Sequence, residues 1–326
     1  MVFVFEALNL VILLFATVAL AGPANTGLWV WYDALPPQEK SIFTDPTALT
    51  ELLSFTRSAS TPEQRIGTLF LQAQGHMTSA DGRAAIVDIM ERIHTFDSTI
   101  RIGFAYGWSK HYPDASVAAT THAAIAFAVA AADLLPLISP SIPFELIFDV
   151  EPDPAHVEQY QELANLLVQL DTATAPFRNR IRLASTSSWA FKDYNVTCDP
   201  AFKSEKEISL LDCVAKSTDV SHLMDFRSFV TKGSPPVDGI VPLAAPALQA
   251  AVKAKSKVSI IVETNCGLGK YTPKLSFCNR SIANLTATLA AAQAAWEKEG
   301  VWSTAIDASM PFAIEDYRGL QALQAV

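Results

Sequence analysis

Residues 144–152 read FELIFDVEP, and this stretch decides how the rest of the sequence is interpreted. The run is apolar apart from its carboxylates, a pattern typical of a strand buried in a parallel sheet. Side chains alternate across a strand, so Asp149 and Glu151 share one face while Phe148 and Val150 share the other. We therefore predict a buried strand that carries two acids on one face at its carboxyl end.

Similar short apolar runs recur along the sequence and alternate with longer amphipathic segments. The predicted strands cover residues 27–32, 66–72, 100–106, 144–150, 181–186, 220–226 and 257–262, and an eighth lies at either 302–307 or 312–315. The predicted helices cover residues 47–58, 80–96, 115–135, 155–170, 205–216, 237–253, 282–298 and 317–324. Strands that alternate with helices pair in parallel through right-handed crossovers. The sequence therefore predicts an α/β fold, a single (β/α)8 TIM barrel with eight parallel strands.

The first 21 residues are predicted to be a secretory signal peptide. Residues 8–20 are almost wholly apolar, and Ala19 and Ala21 supply the small side chains that signal peptidase recognises. The alternative is an uncleaved membrane anchor, but the apolar run is shorter than the roughly 20 residues of a spanning helix. Residues 22–326 are then the barrel domain, with no membrane insertion after signal removal.

Composition narrows the classes of partner. The chain has 326 residues with a net charge of −9, and an acidic chain without basic clusters argues against a nucleic-acid partner. Half of the residues are hydrophobic, which excludes a disordered chain. No glycine-rich turn follows the first strand, so a dinucleotide site has no support, and we expect no cofactor.

Cysteines and sequons indicate an oxidising compartment. The cysteines are Cys198, Cys213, Cys266 and Cys278. Their order favours two local disulfides, Cys198 with Cys213 and Cys266 with Cys278, although the sequence alone allows three ways of pairing the four cysteines. A zinc site is the alternative, but the sequence has no C-x-x-C pair. N-glycosylation sequons begin at Asn195, Asn279 and Asn284. Together with the signal, these features predict a secreted glycoprotein with disulfides.

Acidic residues follow several of the predicted strands, and the active site of a TIM barrel is built at these strand ends. The catalytic candidates are Asp149, Glu151 and Glu263. The substrate-binding candidates are Trp31, Asp33, Tyr106, Trp189, Asp225, Arg227 and Glu315. Asp33 can instead cap a helix, and Asp225 can instead pair with Arg227. Crowded carboxylates in a partly dry pocket raise one another's pKa, which suits a general acid.

Paired carboxylates suit glycoside hydrolysis, where one acid protonates the leaving oxygen and another attacks or stabilises the reacting carbon. Glu151-Pro152 resembles the acid/base site of the retaining glycosidase clan, although Val150 stands in place of that clan's Asn. This resemblance implies Glu151 as acid/base and Glu263 as nucleophile. Asp149-Val150-Glu151 also resembles the D-x-E motif of chitinase-like barrels, although their longer acidic run is missing, and implies that Asp149 and Glu151 act together.

Taken whole, the sequence resembles a poorly characterised group of secreted TIM-barrel proteins related to glycoside hydrolases. The matching motifs are Trp29-Val30-Trp31, Asp149-Val150-Glu151-Pro152, Met224-Asp225-Phe226-Arg227, Val262-Glu263-Thr264 and Ala313-Ile314-Glu315-Asp316-Tyr317. Phe226 replaces the group's usual Tyr, and Glu315 replaces its usual His. The resemblance spans nearly the whole mature chain and implies a glycoside-hydrolase-like domain with a carbohydrate as substrate or ligand.

Two other functions stay open. A metal-dependent phosphodiesterase of TIM-barrel type would hold Ca²⁺ or Mg²⁺ in a ring of carboxylates. That class has an early His-Arg pair, whereas strand one here ends in Trp31-Tyr32-Asp33. A non-catalytic carbohydrate-binding barrel would keep the pocket without the reaction, since fold does not fix function.

Overall fold

Parallel strands and helices alternate through a computed structural model that describes residues 24–30, 42–59, 64–109, 117–198, 207–233, 238–315, 320 and 323. The strands are β1 (Ala24–Val30), β2 (Gln64–Gln72), β3 (Arg101–Ser109), β4 (Phe144–Glu151), β5 (Ile181–Ser188), β6 (Asn195–Val196), β7 (Ile208–Ser209), β8 (Val220–Met224), β9 (Lys257–Val262) and β10 (Phe312–Ile314). All except β6 and β7 close into one barrel in the order β1-β10-β9-β8-β5-β4-β3-β2, with every neighbouring pair parallel. The predicted TIM barrel is confirmed.

Helices follow the barrel strands and cover their outer face. They are α1 (Pro46–Ala59), α2 (Gln74–Met77), α3 (Ala80–Phe96), α4 (Val117–Ala132), α5 (Glu158–Thr174), α6 (Leu210–Ser217), α7 (Ile240–Ala254), α8 (Thr272–Leu275), α9 (Ile282–Lys298) and α10 (Trp302–Ala305). At α1, Asp45 caps the helix, since its Oδ1 accepts a hydrogen bond from the Thr47 N–H at 2.8 Å. Within the described residues, none of the helices has the length and apolar character that crossing a bilayer requires.

Several predicted boundaries change in the structure. The eighth strand is Phe312–Ile314, whereas Trp302–Ala305 is a short helix, which settles the choice that the sequence left open. The sixth strand of the barrel, β8, ends at Met224, two residues before its predicted end at residue 226. The helix predicted at 205–216 begins only at Leu210, because the Ser209 hydroxyl accepts a hydrogen bond from the Asp212 N–H and caps it there. The helix predicted at 317–324 lies largely outside the described residues.

Two separate apolar layers give the barrel its core. Phe148, Val150 and the other outward positions pack beneath the helices. The interior is filled by Trp29, Phe70, Ala105, Ile147, Ala184, Val220, Ile261, Met310 and Ala313. Gly103 has no room for a side chain, because a Cβ there would clash with the Phe70 ring. This interior plug closes the barrel below its mouth, so polar chemistry is confined to the two ends.

Charged residues close the interior end opposite the mouth. Glu145 is 4% exposed, and its Oε1 lies 2.6 Å from His222 Nε2. Arg182 lies 3.7 Å from the other Glu145 oxygen and donates to Asp307 at 2.8 Å. Burial alone would raise the pKa of Glu145, but His222, Arg182 and Arg101 bring it below its usual value. Glu145 is therefore a charged, fully partnered residue of the barrel floor.

Two disulfides fix the loops on the mouth side. Cys198, just after β6, pairs with Cys213 in α6, and Cys266 pairs with Cys278 across the loop that follows β9. The Cα atoms are 5.4 and 5.1 Å apart. The pairing that the order of the cysteines favoured is confirmed.

Replacing Glu145 with Gln should lower the free energy of unfolding by about 3 kcal/mol at neutral pH, because a broken buried ion pair leaves its partners uncompensated. The pKa of Glu145 is lowered by folding, so the contribution is present above the ordinary Glu pKa and is lost as the pH falls through the lowered value. Chemical denaturation at neutral and acidic pH should therefore show a smaller difference in acid. The exposed Glu91→Gln is the matched control. An equal loss at both pH values would contradict this assignment.

Candidate functional site

Strand β4 carries two acids at the barrel mouth. Asp149 and Glu151 are partly buried, whereas Val150 between them is buried among the outer apolar layer. On β3, Gly107 pairs with Asp149 and Ser109 pairs with Glu151, so small residues stand beside the acids in the sheet. The two carboxylates continue the face of Ile147, which fills the interior, and therefore lie on the inner side of the mouth.

A hydrogen bond from the next strand fixes the deeper acid. Thr186 on β5 donates from Oγ1 to Asp149 Oδ1 at 2.7 Å. Burial raises the pKa of Asp149 to about 7, the charge of Glu151 acts in the same direction, and the Thr186 hydrogen bond opposes both. Asp149 is therefore divided between its protonated and charged forms near neutral pH.

This arrangement can hold and release a proton at the mouth. Asp149 and Glu151 are two residues apart on the same face of β4, and having both carboxyl groups ionised is unfavourable because like charges repel. The pair therefore keeps a proton at a pH where an exposed Asp would have lost it. A proton donor with a pKa near the working pH is what general acid catalysis requires.

Glu263 follows β9 and is held by its own loop. It is 6% exposed, its Oε1 accepts a hydrogen bond from the Asn265 N–H at 2.6 Å, and its carbonyl accepts one from the Phe277 N–H at 2.9 Å. Ile261, two residues earlier, belongs to the interior layer. Glu263 thus continues an inward-facing row at the mouth, on a strand separated from β4 by β8 and β5.

Glu315 extends the same kind of row from β10. It is partly buried, it follows the interior residue Ala313 by two positions, and its N–H donates to the Val262 carbonyl at 2.9 Å. The position therefore faces the mouth. Trp31 and Asp33, predicted to bind substrate from strand one, lie outside the described residues.

Asp225 and Arg227 do not occupy the inner face that the alternation predicted for them. Met224 and Phe226 pack against the interior layer instead. Arg227 donates from Nε to Asp238 at 2.5 Å, and this pair replaces the alternative pairing of Arg227 with Asp225.

Asp225 itself is fully buried, and neither carboxylate oxygen has a hydrogen-bond partner within the described residues. Burial raises the pKa of Asp225 well above its usual value, although the charge of Arg227 opposes this. Asp225 is therefore a buried acid whose protonated form is favoured by its surroundings.

The two predicted aromatic platforms that the structure describes lie away from the inner face. Tyr106 is 2% exposed, packs against Phe127 and Phe148, and places its hydroxyl 2.7 Å from Thr120 Oγ1 on α4. Gly103 and Ala105 take the interior positions of β3, so Tyr106 falls out of phase with them and lies on the outer face, away from where it was predicted to meet a sugar. Trp189 follows β5 directly and is partly buried against the outer apolar layer.

Two mouth residues escaped the sequence reasoning. Thr186 is the partner of Asp149, and Gln72 ends β2 with its Oε1 buried and without a partner within the described residues. Both share a strand face with interior residues, Thr186 with Ala184 and Gln72 with Phe70. Extending the period-two alternation to every strand, rather than only to those ending in acids, would have found them.

Among the residues that the structure describes, no group of three or more His, Cys, Asp or Glu is arranged to hold a metal ion. The acids at the mouth are instead surrounded by hydroxyl and backbone donors, such as Thr186 for Asp149 and the Asn265 N–H for Glu263.

The sequence matches no protein-family model and no curated protein. Among solved structures, it is similar to a Rhizomucor miehei beta-1,3-glucanosyltransferase in complex with laminaritriose, at 12% identity and a TM-score of 0.48, over 89% of this chain and 86% of that one. A class V chitinase from Nicotiana tobaccum gives 11% identity and a TM-score of 0.42, over 73% and 66%.

Human YKL-39, a pseudo-chitinase with retained chitooligosaccharide binding, gives 10% identity and a TM-score of 0.44, over 75% of this chain and 67% of that one. The sequence predicted a likeness to glycosidase and chitinase-like barrels, and the three proteins named here are a glucanosyltransferase, a chitinase and a pseudo-chitinase.

Asp149→Asn tests the raised pKa of the deeper acid. Above the ordinary Asp pKa of 3.8 the unfolded state loses its proton while the folded state keeps it, so the stability of the wild type falls until the pH passes about 7. The variant has no such group. Its stability relative to wild type should therefore rise between pH 4 and pH 7 by up to roughly 4 kcal/mol, since one pKa unit is worth 1.36 kcal/mol.

Denaturant titrations across this range measure the difference, and Asp88→Asn on the exposed face of α3 is the matched control. A difference that stays constant with pH would mean that Asp149 titrates like an exposed carboxyl.

Proposed function

We propose that this protein is a glycoside-hydrolase-like barrel that acts on or binds a carbohydrate through the carboxylates at its mouth. The observation that carries the proposal is the Asp149–Glu151 pair, whose deeper member has a pKa of about 7 in the place where TIM barrels build their active sites. A proton available near neutral pH is the reagent that cleavage of a glycosidic bond needs.

Within this proposal, Glu151 is the general acid. It is the last residue of β4 and stands one pleat nearer the opening than Asp149. The proton that Asp149 holds, beside Thr186, would pass to Glu151, and Glu151 would donate it to the leaving oxygen of the sugar. The Coulomb repulsion between the two acids is what links them.

The partner carboxylate has two candidates. If Glu263 attacks the anomeric carbon, the enzyme is of the retaining type with a covalent intermediate. If Asp149 instead stabilises a reacting group of the substrate, Glu263 serves only to bind. Both mechanisms use Glu151 as the acid. They differ only in the effect on activity of removing the Glu263 carboxylate.

Glu151→Gln should abolish turnover of β-1,3-glucan or chitin oligosaccharides while leaving the midpoint of thermal unfolding close to wild type, because it removes the proton donor and keeps its shape. The loss should be at least about 100-fold in kcat, the usual contribution of a general acid. Reducing-end release by the wild type, Glu151→Gln, Glu263→Gln and the exposed control Glu91→Gln is the measurement.

An equal loss of kcat in Glu263→Gln supports the retaining pair. A raised KM with kcat unchanged supports a binding role for Glu263. Full activity in Glu151→Gln would overturn the assignment of the acid. Sugar binding by the wild type with no product would favour the non-catalytic barrel. Hydrolysis of a phosphodiester that EDTA abolishes would favour the phosphodiesterase.

We also propose that the protein is secreted as a glycoprotein after removal of residues 1–21. Two disulfides support this, since such bonds persist in oxidising compartments. Asn195, Asn279 and Asn284 are all exposed, as glycan acceptors must be. Protein recovered from the medium of secreting cells should start near Ala21 or Gly22 and lose mass on treatment with an N-glycosidase. Retention in the membrane fraction with residues 1–21 intact would contradict the proposal.

A further inference from the structure

The loops that follow the neighbouring strands β8 and β9 are joined at the mouth by a cluster of three charged side chains. Arg227 comes three residues after β8, Asp238 lies two residues before α7, and Lys274 lies in α8. Arg227 donates from Nε to Asp238 Oδ1 at 2.5 Å, and Lys274 Nζ lies 2.9 Å from Asp238 Oδ2. The carboxylate of Asp238 thus binds one cation from each loop.

Hydrogen bonds to backbone carbonyls join the same two loops. The Ser228 N–H donates to the Lys274 carbonyl at 3.1 Å, and the Ser228 hydroxyl donates to the Pro273 carbonyl at 3.0 Å. Ser228 is buried, so water does not compete for these bonds. The start of the β8–α7 loop is therefore fixed to α8 by the backbone as well as by charge.

The loop that contains α8 also holds Glu263. Shortly after Lys274, Ser276 pairs with Glu263 in a parallel bridge. The Phe277 N–H then donates to the Glu263 carbonyl at 2.9 Å. A displacement of Lys274 would therefore reach the backbone of Glu263 through a short, hydrogen-bonded stretch of chain.

The carboxylate of Glu263 takes its direction from this loop. Glu263 Oε1 accepts a hydrogen bond from the Asn265 N–H at 2.6 Å, and the side chain is nearly buried. A functional group that is displaced by even 1 Å can lose about 100-fold in rate. A loop that aims such a group benefits from an anchor outside itself, and Asp238 provides one.

Arg227 reaches past a nearer acid to make this connection. Asp225 precedes it by two residues, and neither Asp225 carboxylate oxygen has a hydrogen-bond partner within the described part of the chain. Arg227 instead donates from Nε to Asp238, and its Nη1 donates to the Phe226 carbonyl at 2.7 Å. The guanidinium is therefore placed to join two segments and not to neutralise its neighbour.

The cluster keeps its charges over the pH range in which Asp149 titrates. Burial alone would raise the pKa of Asp238, but the hydrogen bonds from Arg227 and Lys274 bring it down to about 2. The pKa of Asp149 is about 7. The contacts of Asp238 are therefore the same whether Asp149 is protonated or charged.

We propose that Arg227, Asp238 and Lys274 form a brace that positions the carboxylate of Glu263 at the mouth. The inference rests on the proposed function, in which Glu263 attacks or binds the sugar. The sequence placed Arg227 among the substrate-binding candidates, and the brace gives it an indirect role as a positioning residue.

Asp238→Asn tests the brace, because it removes the charge that holds both cations and keeps an oxygen for the Gly239 N–H. The kcat on β-1,3-glucan or chitin oligosaccharides should fall by about 10- to 100-fold, as expected for a displaced functional group. Exchange of the Phe277 amide hydrogen, followed by NMR, should become faster. Lys274→Met should have a smaller effect, since the Lys274 side chain is 52% exposed and that of Arg227 is 11% exposed. Lys274→Arg, which keeps the charge, should lose less than Lys274→Met.

A double-mutant cycle separates positioning from general stability. In a Glu263→Gln background, Asp238→Asn should cost little further activity, because the carboxylate that the brace positions is already gone. If Glu263→Gln leaves too little turnover to measure, the same cycle is read in the affinity for the oligosaccharide. Asp88→Asn, which breaks a surface ion pair with Arg92 on α3, is the matched control and should change neither activity nor amide exchange.

The brace is overturned if Asp238→Asn leaves the Phe277 amide exchanging at the wild-type rate, or if the losses from Asp238→Asn and Glu263→Gln simply multiply. A wild type that neither cleaves nor binds an oligosaccharide would overturn the proposed function alone. The exchange rate of the Phe277 amide would then still decide whether Asp238 holds the Glu263 loop in place.

Discussion

The strict alternation of side chains along β4 is the constraint on which the site depends. A closed barrel has only an inner and an outer face, so every second residue of a strand must point inward. On β4 these residues are Glu145, Ile147, Asp149 and Glu151. The strand therefore delivers two acids to the same opening whatever their cost in desolvation, and that cost raises the pKa of Asp149.

The same strand shows how the barrel tolerates inward charge. At the floor, Glu145 is matched by His222 and Arg182, and its pKa is lowered. At the mouth, Asp149 receives one hydroxyl hydrogen bond and faces a second acid, and its pKa is raised. The pKa values of two inward-facing acids four residues apart are thus shifted in opposite directions by their neighbours. This difference supports a stabilising role for Glu145 and is consistent with the chemical role proposed for Asp149.

Much of the fold could be predicted because buried parallel strands are short apolar runs, and helices are long and amphipathic. The sequence left the eighth strand open, since both apolar runs near Trp302 and Phe312 suit a strand and only barrel closure selects the second. The period-two alternation along β3 predicts which residues share a face with Tyr106, but it does not predict which of the two faces lies inside the barrel. For this reason Tyr106 was expected on the wrong face. The small residues Gly103 and Ala105 decide that question on β3.

The acids at the mouth could be predicted from strand ends, but their partners could not. The hydrogen bond from Thr186 to Asp149 joins residues 37 positions apart, and the floor pair of Glu145 with His222 joins residues 77 positions apart. No local sequence pattern records such separations. The ion pair of Arg227 could not be predicted for the same reason, because its partner Asp238 reaches it from just before α7 through tertiary packing. Local chemistry identifies candidate residues, and the fold then decides which of them meet.

The most direct test is a carbon-13 NMR titration of the Asp149 carboxyl in protein labelled at aspartate, with Asp149→Asn used to assign the resonance. The account predicts a titration midpoint near 7 for this carboxyl, because burial and the charge of Glu151 both favour the protonated form. A midpoint near the ordinary value of 3.8 would show that the two acids do not share a partly dry mouth, and the proposed proton donor would be lost.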